Sequence, residues 1–322
     1  MGPKLPLSIQ ARISRRDALT TGIGLGIAGV AGSSFAASIK PPPALAASFE
    51  DADWNLRTLA RLEGDPDPRK QIHGFNSGTV CGVRDGEAVR PLFGFEVFSS
   101  IRLIPQPNGT IQRLCRELVF YRDLATGEML DQWKNVYTGE AVRVVDVAND
   151  PYSYLLTTKG ADTGKNSVHA APASRAQRWY MLNENTVAFD RDVHLYYPSL
   201  LTPDKWPRES PGPMVRASEF LRYSIRLEDL QNARLTHLTH TGTWARVTPW
   251  LPWMLMDGAP GHCVYVGMFT TRRDASQFSP AVLARVTERY PKYLSAPTEW
   301  TEPSYSSLEN YTRTEKPAVK PK

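Results

Sequence analysis

Hydrophobic and polar residues alternate along most of the chain after residue 46, with the period of two that is typical of β-strands. Thr-Gly-Glu occurs at 126–128 and again at 138–140, where glycine supplies the positive φ of a hairpin turn. Asn149-Asp150-Pro151 predicts a strand end, because proline lacks a backbone donor. The strand pattern is clearest in these segments: 70–109, 110–123, 141–149, 175–198 and 233–247.

Helical spacing is confined to short segments. Residues 51–64 predict an amphipathic helix that begins with acidic residues, and residues 279–290 predict another that ends before Pro291. Residues 218–232 fit either a strand with a bulge or a short helix. The helices are therefore predicted to be minor elements of a β-rich fold.

The regular strand spacing, without crossover helices, predicts a mainly β protein. We expect a single antiparallel barrel-like or sandwich-like domain over residues 47–298, with a few short helices. Residues 299–322 are polar and are predicted to form a disordered tail. A barrel of this kind commonly holds a ligand in its interior or its mouth.

The first 46 residues have the order of an export signal. Arg15 and Arg16 precede an uncharged, weakly apolar stretch, and Ala44–Ala47 supplies small residues that a signal peptidase accepts. The arginine pair is typical of twin-arginine signals, so the expected partner is the twin-arginine export machinery and the expected location is periplasmic or secreted. A retained N-terminal membrane helix is the alternative. No later stretch approaches the roughly 18 uninterrupted apolar residues of a spanning helix, so no stable membrane insertion is expected after cleavage.

Charge argues against a nucleic-acid partner. The chain of 322 residues has a formal net charge of +5, from 38 basic and 33 acidic residues. Five of the basic residues and one acidic residue lie in the first 46 positions, which leaves 33 basic and 32 acidic residues. No surplus remains to neutralise phosphates.

Cys81, Cys115 and Cys263 have no metal or redox spacing, and an odd number cannot pair completely within one chain. Cys115 and Cys263 lie in strand-like runs, which predicts buried structural thiols. A disulfide formed in an oxidising compartment is the alternative.

Two blocks, Arg116–Pro151 and Trp244–Tyr265, resemble the characteristic blocks of an exported bacterial family catalogued as domain of unknown function 1838. The resemblance extends over residues 50–297, and the leader agrees with it. It implies a shared fold and export, and it implies no particular activity.

Acid–base candidates lie on one predicted strand and near another. Glu117 and Tyr121 share a strand face, whereas Arg116 lies on the opposite face. A carboxylate inside a barrel would be desolvated and able to act as a general acid or base; on the outside it would be a solvated charge. His240 shares a predicted face with Trp244, and the alternative is a hydrogen-bonded histidine at the edge of the core.

His237 and His240 are three residues apart, a spacing that metal-binding histidines can have on a helix. On a strand they point to opposite faces, and no nearby residue completes a ligand set. No metal and no cofactor are therefore expected, and motifs for serine nucleophiles or nucleotides are missing from the sequence.

Aromatic residues are concentrated in the two blocks. Indole rings give a rigid apolar surface with one polar atom, which suits an aromatic or hydrophobic ligand; a tryptophan-rich core is the alternative. The candidate ligand-binding residues, including two orienting donors, are Arg116, Trp133, Asn135, Trp244, Trp250 and Trp253.

Three functions remain open at this point. The first is a tryptophan-lined pocket for a small hydrophobic or aromatic molecule, with cofactor-free lyase, isomerase or hydrolase chemistry carried by Glu117, Tyr121 and His240. The second is a non-catalytic periplasmic carrier that uses the same pocket. The third is a structural envelope protein whose tryptophans are core residues. Whether the protein is an enzyme is not decided by the sequence.

Overall fold

A curled antiparallel sheet, shaped as a half-barrel, forms the body of the protein: ten described strands follow one another in order, and a short eleventh strand pairs beside them. The computed structural model describes residues 39–162, 173–302 and 304–319. The expectation of a mainly β, barrel-like fold with a few short helices is confirmed. Residues from Ile39 onward form one compact unit.

The described elements follow the predicted strand and turn pattern closely. The strands are β1 Ile72–Val83, β2 Arg90–Pro105, β3 Ile111–Arg122, β4 Gln132–Lys134, β5 Ala141–Arg143, β6 Val147–Asn149, β7 Tyr154–Thr157, β8 Gly160–Asp162, β9 Ala173–Asn183, β10 Thr186–Pro198, β11 Met214–Arg226, β12 Thr241–Thr248 and β13 His262–Arg272. The helices are α1 Pro43–Glu50, α2 Ala52–Glu63, α3 Leu227–Gln231, α4 Pro280–Arg289 and α5 Ser307–Thr314, with 3₁₀ turns at Pro252–Met254, Ala275–Gln277 and Pro291–Leu294.

Neighbouring strands run in the order β8-β7-β3-β2-β1-β13-β12-β11-β10-β9. The first and last long strands, β1 and β13, pair antiparallel in the middle of the sheet, with Gly78 opposite Gly267. The short strand β6 pairs with β3 beside β7, and β4 and β5 form a separate hairpin. Two arms therefore curve away from the central β1–β13 pair, one ending in β8 and the other in β9.

Alternation along the strands separates a concave face from a convex face. On β3, Glu117 and Tyr121 point to the concave side, whereas Leu118 and Phe120 pack against α4 on the convex side. The helix α4 covers β1–β3 with Val282 and Val286, both of which are buried. Helix α4 thus forms a second layer over one arm of the sheet, and the concave side of the sheet encloses a cavity.

Segment 218–232, which fitted either a strand or a helix, contains both: β11 is followed directly by α3. Segment 141–149, predicted as one strand, is two short strands that pair with different partners. The cysteines are free, and Cys115 and Cys263 are buried as predicted.

The prediction of a strand over residues 233–247 is correct only from Thr241 onward. The preceding residues are held against the end of α2 instead of the sheet. Arg61 donates to the carbonyl oxygen of Leu235 at 2.8 Å, and the Leu238 amide donates to the carbonyl oxygen of Arg61 at 2.8 Å. These contacts use backbone groups that a longer strand would have paired with β11.

The polar segment after residue 298, expected to be disordered, contains the helix α5. Ser306 and Glu309 form a reciprocal capping box at its start, and Tyr311 packs against the ring of Trp206. Asn310 donates to Asn149 Oδ1 at 2.7 Å. Local capping and contacts with distant residues together order this segment, although its composition is polar.

Residues 1–38, which carry Arg15 and Arg16, lie outside the described residues. Residues 43–46, at the predicted cleavage site, belong to α1, and Leu45 packs in the core. Among the described helices, none is long and apolar enough to cross a membrane.

Candidate functional site

The concave side of the sheet surrounds a cavity of about 400 Å³. Both arms contribute to it, since β3, β6 and β7 line one side and β10–β12 line the other. The helix α5 and the bend after β12 complete the lining. A volume of this size is in the range of pockets for small organic molecules.

Three tryptophans form the apolar side of the cavity. Trp244 lies on β12, and Trp250 and Trp253 lie in the proline-rich bend that follows it. Trp250 is fixed by its indole N–H, which donates to the carbonyl oxygen of Ala259 at 3.0 Å. Trp244 is packed edge-on against Phe95 and Tyr265. Ring packing holds Trp253 as well, against Phe93 and Tyr121, so neighbouring aromatic side chains restrict the indole rings.

Three of the predicted ligand-binding residues do not line the cavity. Trp133, on β4, packs edge-on against Phe93 and Trp253 and therefore supports the cavity from behind. Asn135 is fully buried: its Oδ1 accepts from the amides of residues 137 and 138, and its Nδ2 donates to the carbonyl oxygen of Met254 at 2.7 Å. Both residues are structural parts of the β4–β5 hairpin.

Arg116, the third, points to the convex side of β3. It donates to the carbonyl oxygen of Ser295 at 2.7 Å and pairs with Asp150 at 3.1 Å. The sequence had already placed it opposite Glu117, and the structure agrees. Its partners are the turn after α4 and the end of β6, so it anchors the convex layer to the sheet.

Glu117 and Tyr121 both line the cavity from β3. Asn149, at the end of β6, donates to Glu117 Oε1 at 3.0 Å. Burial raises the pKa of Glu117 above its ordinary value, which favours the protonated acid. Burial also raises the pKa of Tyr121 to about 12, and its hydroxyl lies 3.2 Å from that of Tyr265. Two acidic groups with raised pKa values therefore face the cavity from one strand.

His240 immediately precedes β12 and lines the cavity between the rings of Tyr223 and Phe269. Its Nδ1 lies 3.1 Å from the carbonyl oxygen of Leu238, which can only accept, so Nδ1 carries the proton. Its Nε2 is buried and has no hydrogen-bond partner among the described residues. Burial lowers the pKa of His240 to about 4, which keeps the ring neutral.

His237 points away from His240, with its Nε2 2.8 Å from the hydroxyl of Thr271. Within the described ranges, no group of three or more His, Cys, Asp or Glu side chains is arranged to hold a metal ion. The two histidines thus have separate environments, one at the end of α2 and one in the cavity.

The sequence did not predict a buried cluster of charged residues around Glu63. Glu63, at the end of α2, pairs with Arg113 of β3 at 2.8 Å and with Arg191 of β10, and Tyr154 donates to its Oε2 at 2.6 Å. Burial alone would raise the pKa of Glu63, but the two guanidinium groups and the Tyr154 hydroxyl outweigh burial and hold it below its ordinary value. The cluster is ionised and carries two positive charges for one negative charge.

The sequence also did not predict Arg246 as a cavity residue. It lies on β12, two residues after Trp244, and pairs with Glu219 of β11 at 3.3 Å. The alternation of strand residues would have predicted that both arginines line the cavity. Arg246 shares a strand face with Trp244, and Arg113 shares a strand face with Glu117. Glu63 had no such signal, since only the tertiary fold brings the end of α2 to the cavity.

The fold and cavity define a class: a half-barrel β protein whose concave face carries tryptophans, a carboxyl group with a raised pKa and several arginines. Comparison with known families specifies it further. The model of the family described as "Protein of unknown function (DUF1838)" matches residues 70–315, and the chain belongs to this family. The matched region contains all the described strands and α5. A search of curated proteins finds no match.

Proposed function

We propose that the protein binds a small, mainly apolar or aromatic molecule in the concave cavity. The observation that carries this proposal is a cavity of about 400 Å³ with Trp244, Trp250 and Trp253 on one side. Rigid indole rings contribute contact area to a flat apolar ligand with little loss of side-chain entropy.

Buried polar atoms without hydrogen-bond partners favour a ligand-binding cavity over a tryptophan-rich core. Asn76 Oδ1, His240 Nε2 and Arg246 Nε are buried and have no hydrogen-bond partner among the described residues, and all three residues line the cavity. Buried polar atoms in folded proteins are normally hydrogen-bonded. A ligand with a few polar atoms on an apolar body would supply the missing partners.

Mass spectrometry of the purified protein, first native and then denatured, tests the proposal. We expect an organic molecule that remains bound in the native state and is released on unfolding. Trp244→Leu should reduce the bound fraction about ten-fold or more, since truncation of a central aromatic contact typically costs 1–3 kcal/mol or more.

Trp54→Leu is the matched control, because Trp54 packs against Phe49 and Trp179 and does not line the cavity. This variant should lose thermal stability and keep its bound molecule. An equal loss of the bound molecule in both variants, or no bound molecule in any preparation, would contradict the proposed cavity.

A second candidate function is cofactor-free acid–base catalysis, as in a lyase, isomerase or hydrolase. The raised pKa of Glu117 favours it, since a protonated carboxyl group facing the cavity can donate a proton to a bound ligand. Tyr121 and the neutral His240 are the other candidates. Incubation of the released molecule with fresh protein would convert it if the protein is an enzyme, and Glu117→Gln should abolish that conversion. A carrier would return the molecule unchanged.

We further propose that the protein is exported through the twin-arginine machinery to the periplasm or the exterior, guided by Arg15 and Arg16. The test is fractionation of a bacterial host that expresses the full chain. The chain should reach the periplasm, and replacement of both arginines by lysine should retain it in the cytoplasm. Periplasmic protein from the lysine variant would rule out this route.

A further inference from the structure

Arg246 lines the cavity with a partly exposed side chain whose Nε atom is buried. Its only ion pair among the described residues is with Glu219 at 3.3 Å, and it forms no hydrogen bond with them. A guanidinium group has five N–H donors, and a buried donor such as Nε is normally hydrogen-bonded. Most of the hydrogen-bonding capacity of Arg246 is therefore available to a molecule in the cavity.

The other two arginines of the cavity are already used by the protein. Arg113 and Arg191 both pair with Glu63, and Arg113 also donates to the carbonyl oxygen of Tyr152 at 3.4 Å. These contacts join α2, β3 and β10, so the two side chains serve the structure. Arg246 is the arginine with donors to spare.

Charge in the cavity also favours an anion. Arg246 and Glu219 form one balanced pair, whereas the Glu63 cluster has one positive charge in excess. Burial, the largest effect, and the nearby Glu219 raise the pKa of Glu117, whereas the hydrogen bond from Asn149 and the charge of Arg113 lower it. Asp146, which also lines the cavity, is balanced by Arg285 at 3.0 Å. The excess positive charge of the Glu63 cluster therefore lies on the cavity side.

Position gives Arg246 the right neighbours for this role. Trp244 is two residues earlier on the same face of β12, and Tyr265 lies opposite Arg246 on β13. A flat ligand against Trp244 would therefore place one end beside the guanidinium group. The planar fork of arginine matches a carboxylate, which it binds through two parallel hydrogen bonds.

We propose that the molecule bound in this cavity carries a carboxylate on an aromatic or other apolar body, and that Arg246 binds the carboxylate. This inference rests on the proposed binding function and names its ligand class. Trp244, Trp250 and Trp253 contact the apolar body, and Arg246 sets the orientation of the ligand.

The test compares 2-naphthoate with its neutral isostere 2-naphthamide by isothermal titration calorimetry at pH 7. Wild-type protein should bind the carboxylate at least about ten-fold more tightly, since a charge-assisted hydrogen bond is worth roughly 1.5–3 kcal/mol. Arg246→Met should abolish this preference while keeping the affinity for the amide. Arg246→Lys, which keeps the charge and is the second variant if the Met variant does not fold, should retain part of the preference.

Arg216→Met is the matched control, because Arg216 is an exposed residue on the outer face of the neighbouring strand β11, over the ring of Tyr196. It should keep the full preference. Equal affinity of wild type for the two probes would overturn the carboxylate and leave the binding function intact. An unchanged preference in both Arg246 variants would overturn the assignment of Arg246. No binding of either probe would count against the binding function itself, and this inference would fall with it.

Discussion

His240 shows how the surroundings of one side chain set its chemistry. Tyr223 and Phe269 cover its ring, and the carbonyl oxygen of Leu238 fixes the proton on Nδ1. Gly242 makes this packing possible, because a Cβ there would lie 2.2 Å from the Phe269 ring. The ring is held neutral with Nε2 as an acceptor, which is the state that either a ligand contact or a general base requires.

The same burial makes stability depend on pH. Burial lowers the pKa of His240 from 6.5 to about 4, so between these values the unfolded chain binds a proton that the folded chain does not. The free energy of unfolding should therefore fall as pH decreases from 6.5 to 4, by up to about 3 kcal/mol from this residue. Urea unfolding at pH 7 and pH 4.5 should show a smaller pH difference in His240→Asn than in wild type.

Val282→Ala provides the control for lost packing, because Val282 is buried between α4 and the convex side of the sheet, away from His240. It removes apolar contacts and no titrating group, so it should lower stability by a similar amount at both pH values. His237, whose pKa burial also lowers to about 4, keeps its own contribution in every variant. An unchanged pH difference in His240→Asn would contradict a buried neutral His240.

At the residue scale, the sequence predicted contacts that follow from the strand period and missed those that depend on distant elements. Strand alternation correctly placed Glu117 and Tyr121 on one face of β3 and Arg116 on the other. The same alternation places Arg113 on the face of Glu117. Trp133 was predicted to bind ligand because it lies in the same aromatic-rich sequence blocks as the other tryptophans. Its actual place behind Trp253 depends on how the β4–β5 hairpin packs against the bend at Pro252–Met254.

At the scale of elements, α5 connects the C-terminal segment to the cavity. It contributes Ser307, Leu308, Asn310, Tyr311 and Thr314 to the lining. None of its residues is fully buried, and its main anchors are hydrogen bonds to Asn149 and ring packing on Trp206. Polar composition led to the prediction of a disordered tail. The Ser306-to-Glu309 spacing of a capping box was present in the sequence and indicates a helix start.

Ser306→Ala should therefore loosen α5 specifically. The Glu309 amide would lose its contact with Ser306 Oγ, a change that costs about 1 kcal/mol. Hydrogen–deuterium exchange of residues 307–314 should become about five-fold faster, while the melting temperature of the whole protein changes little. Ser279→Ala is the matched control, because Ser279 precedes α4 without a side-chain capping bond. Equal exchange in wild type and Ser306→Ala would show that the cap does not hold α5.

At the scale of the molecule, Glu63 joins the two arms of the half-barrel. Arg113 lies on β3 and Arg191 lies on β10, which are separated by five strands in the sheet order. The Glu63 carboxylate contacts both arginines across the concave side, where no backbone ladder of the described strands connects the arms. The distance between the arms, and with it the width of the cavity, is set at this point by side chains.

Glu63→Gln should consequently destabilise the protein by about 3–5 kcal/mol, because it leaves two buried guanidinium groups without a counterion. The measurement is the free energy of urea unfolding at pH 7. Glu184→Gln, which removes the same formal charge from the exposed turn between β9 and β10, should change this value little. Replacement of Glu63 by Leu together with Arg113 and Arg191 by Met should recover much of the lost unfolding free energy, since no unpaired charge remains.

If Glu63→Gln is as stable as Glu184→Gln, the arms are held by the sheet alone. If Glu63→Gln is destabilised and the triple variant is not, the unpaired charge of the two arginines is the cause. Any stability that the triple variant still lacks is attributed to the lost hydrogen bond from Tyr154.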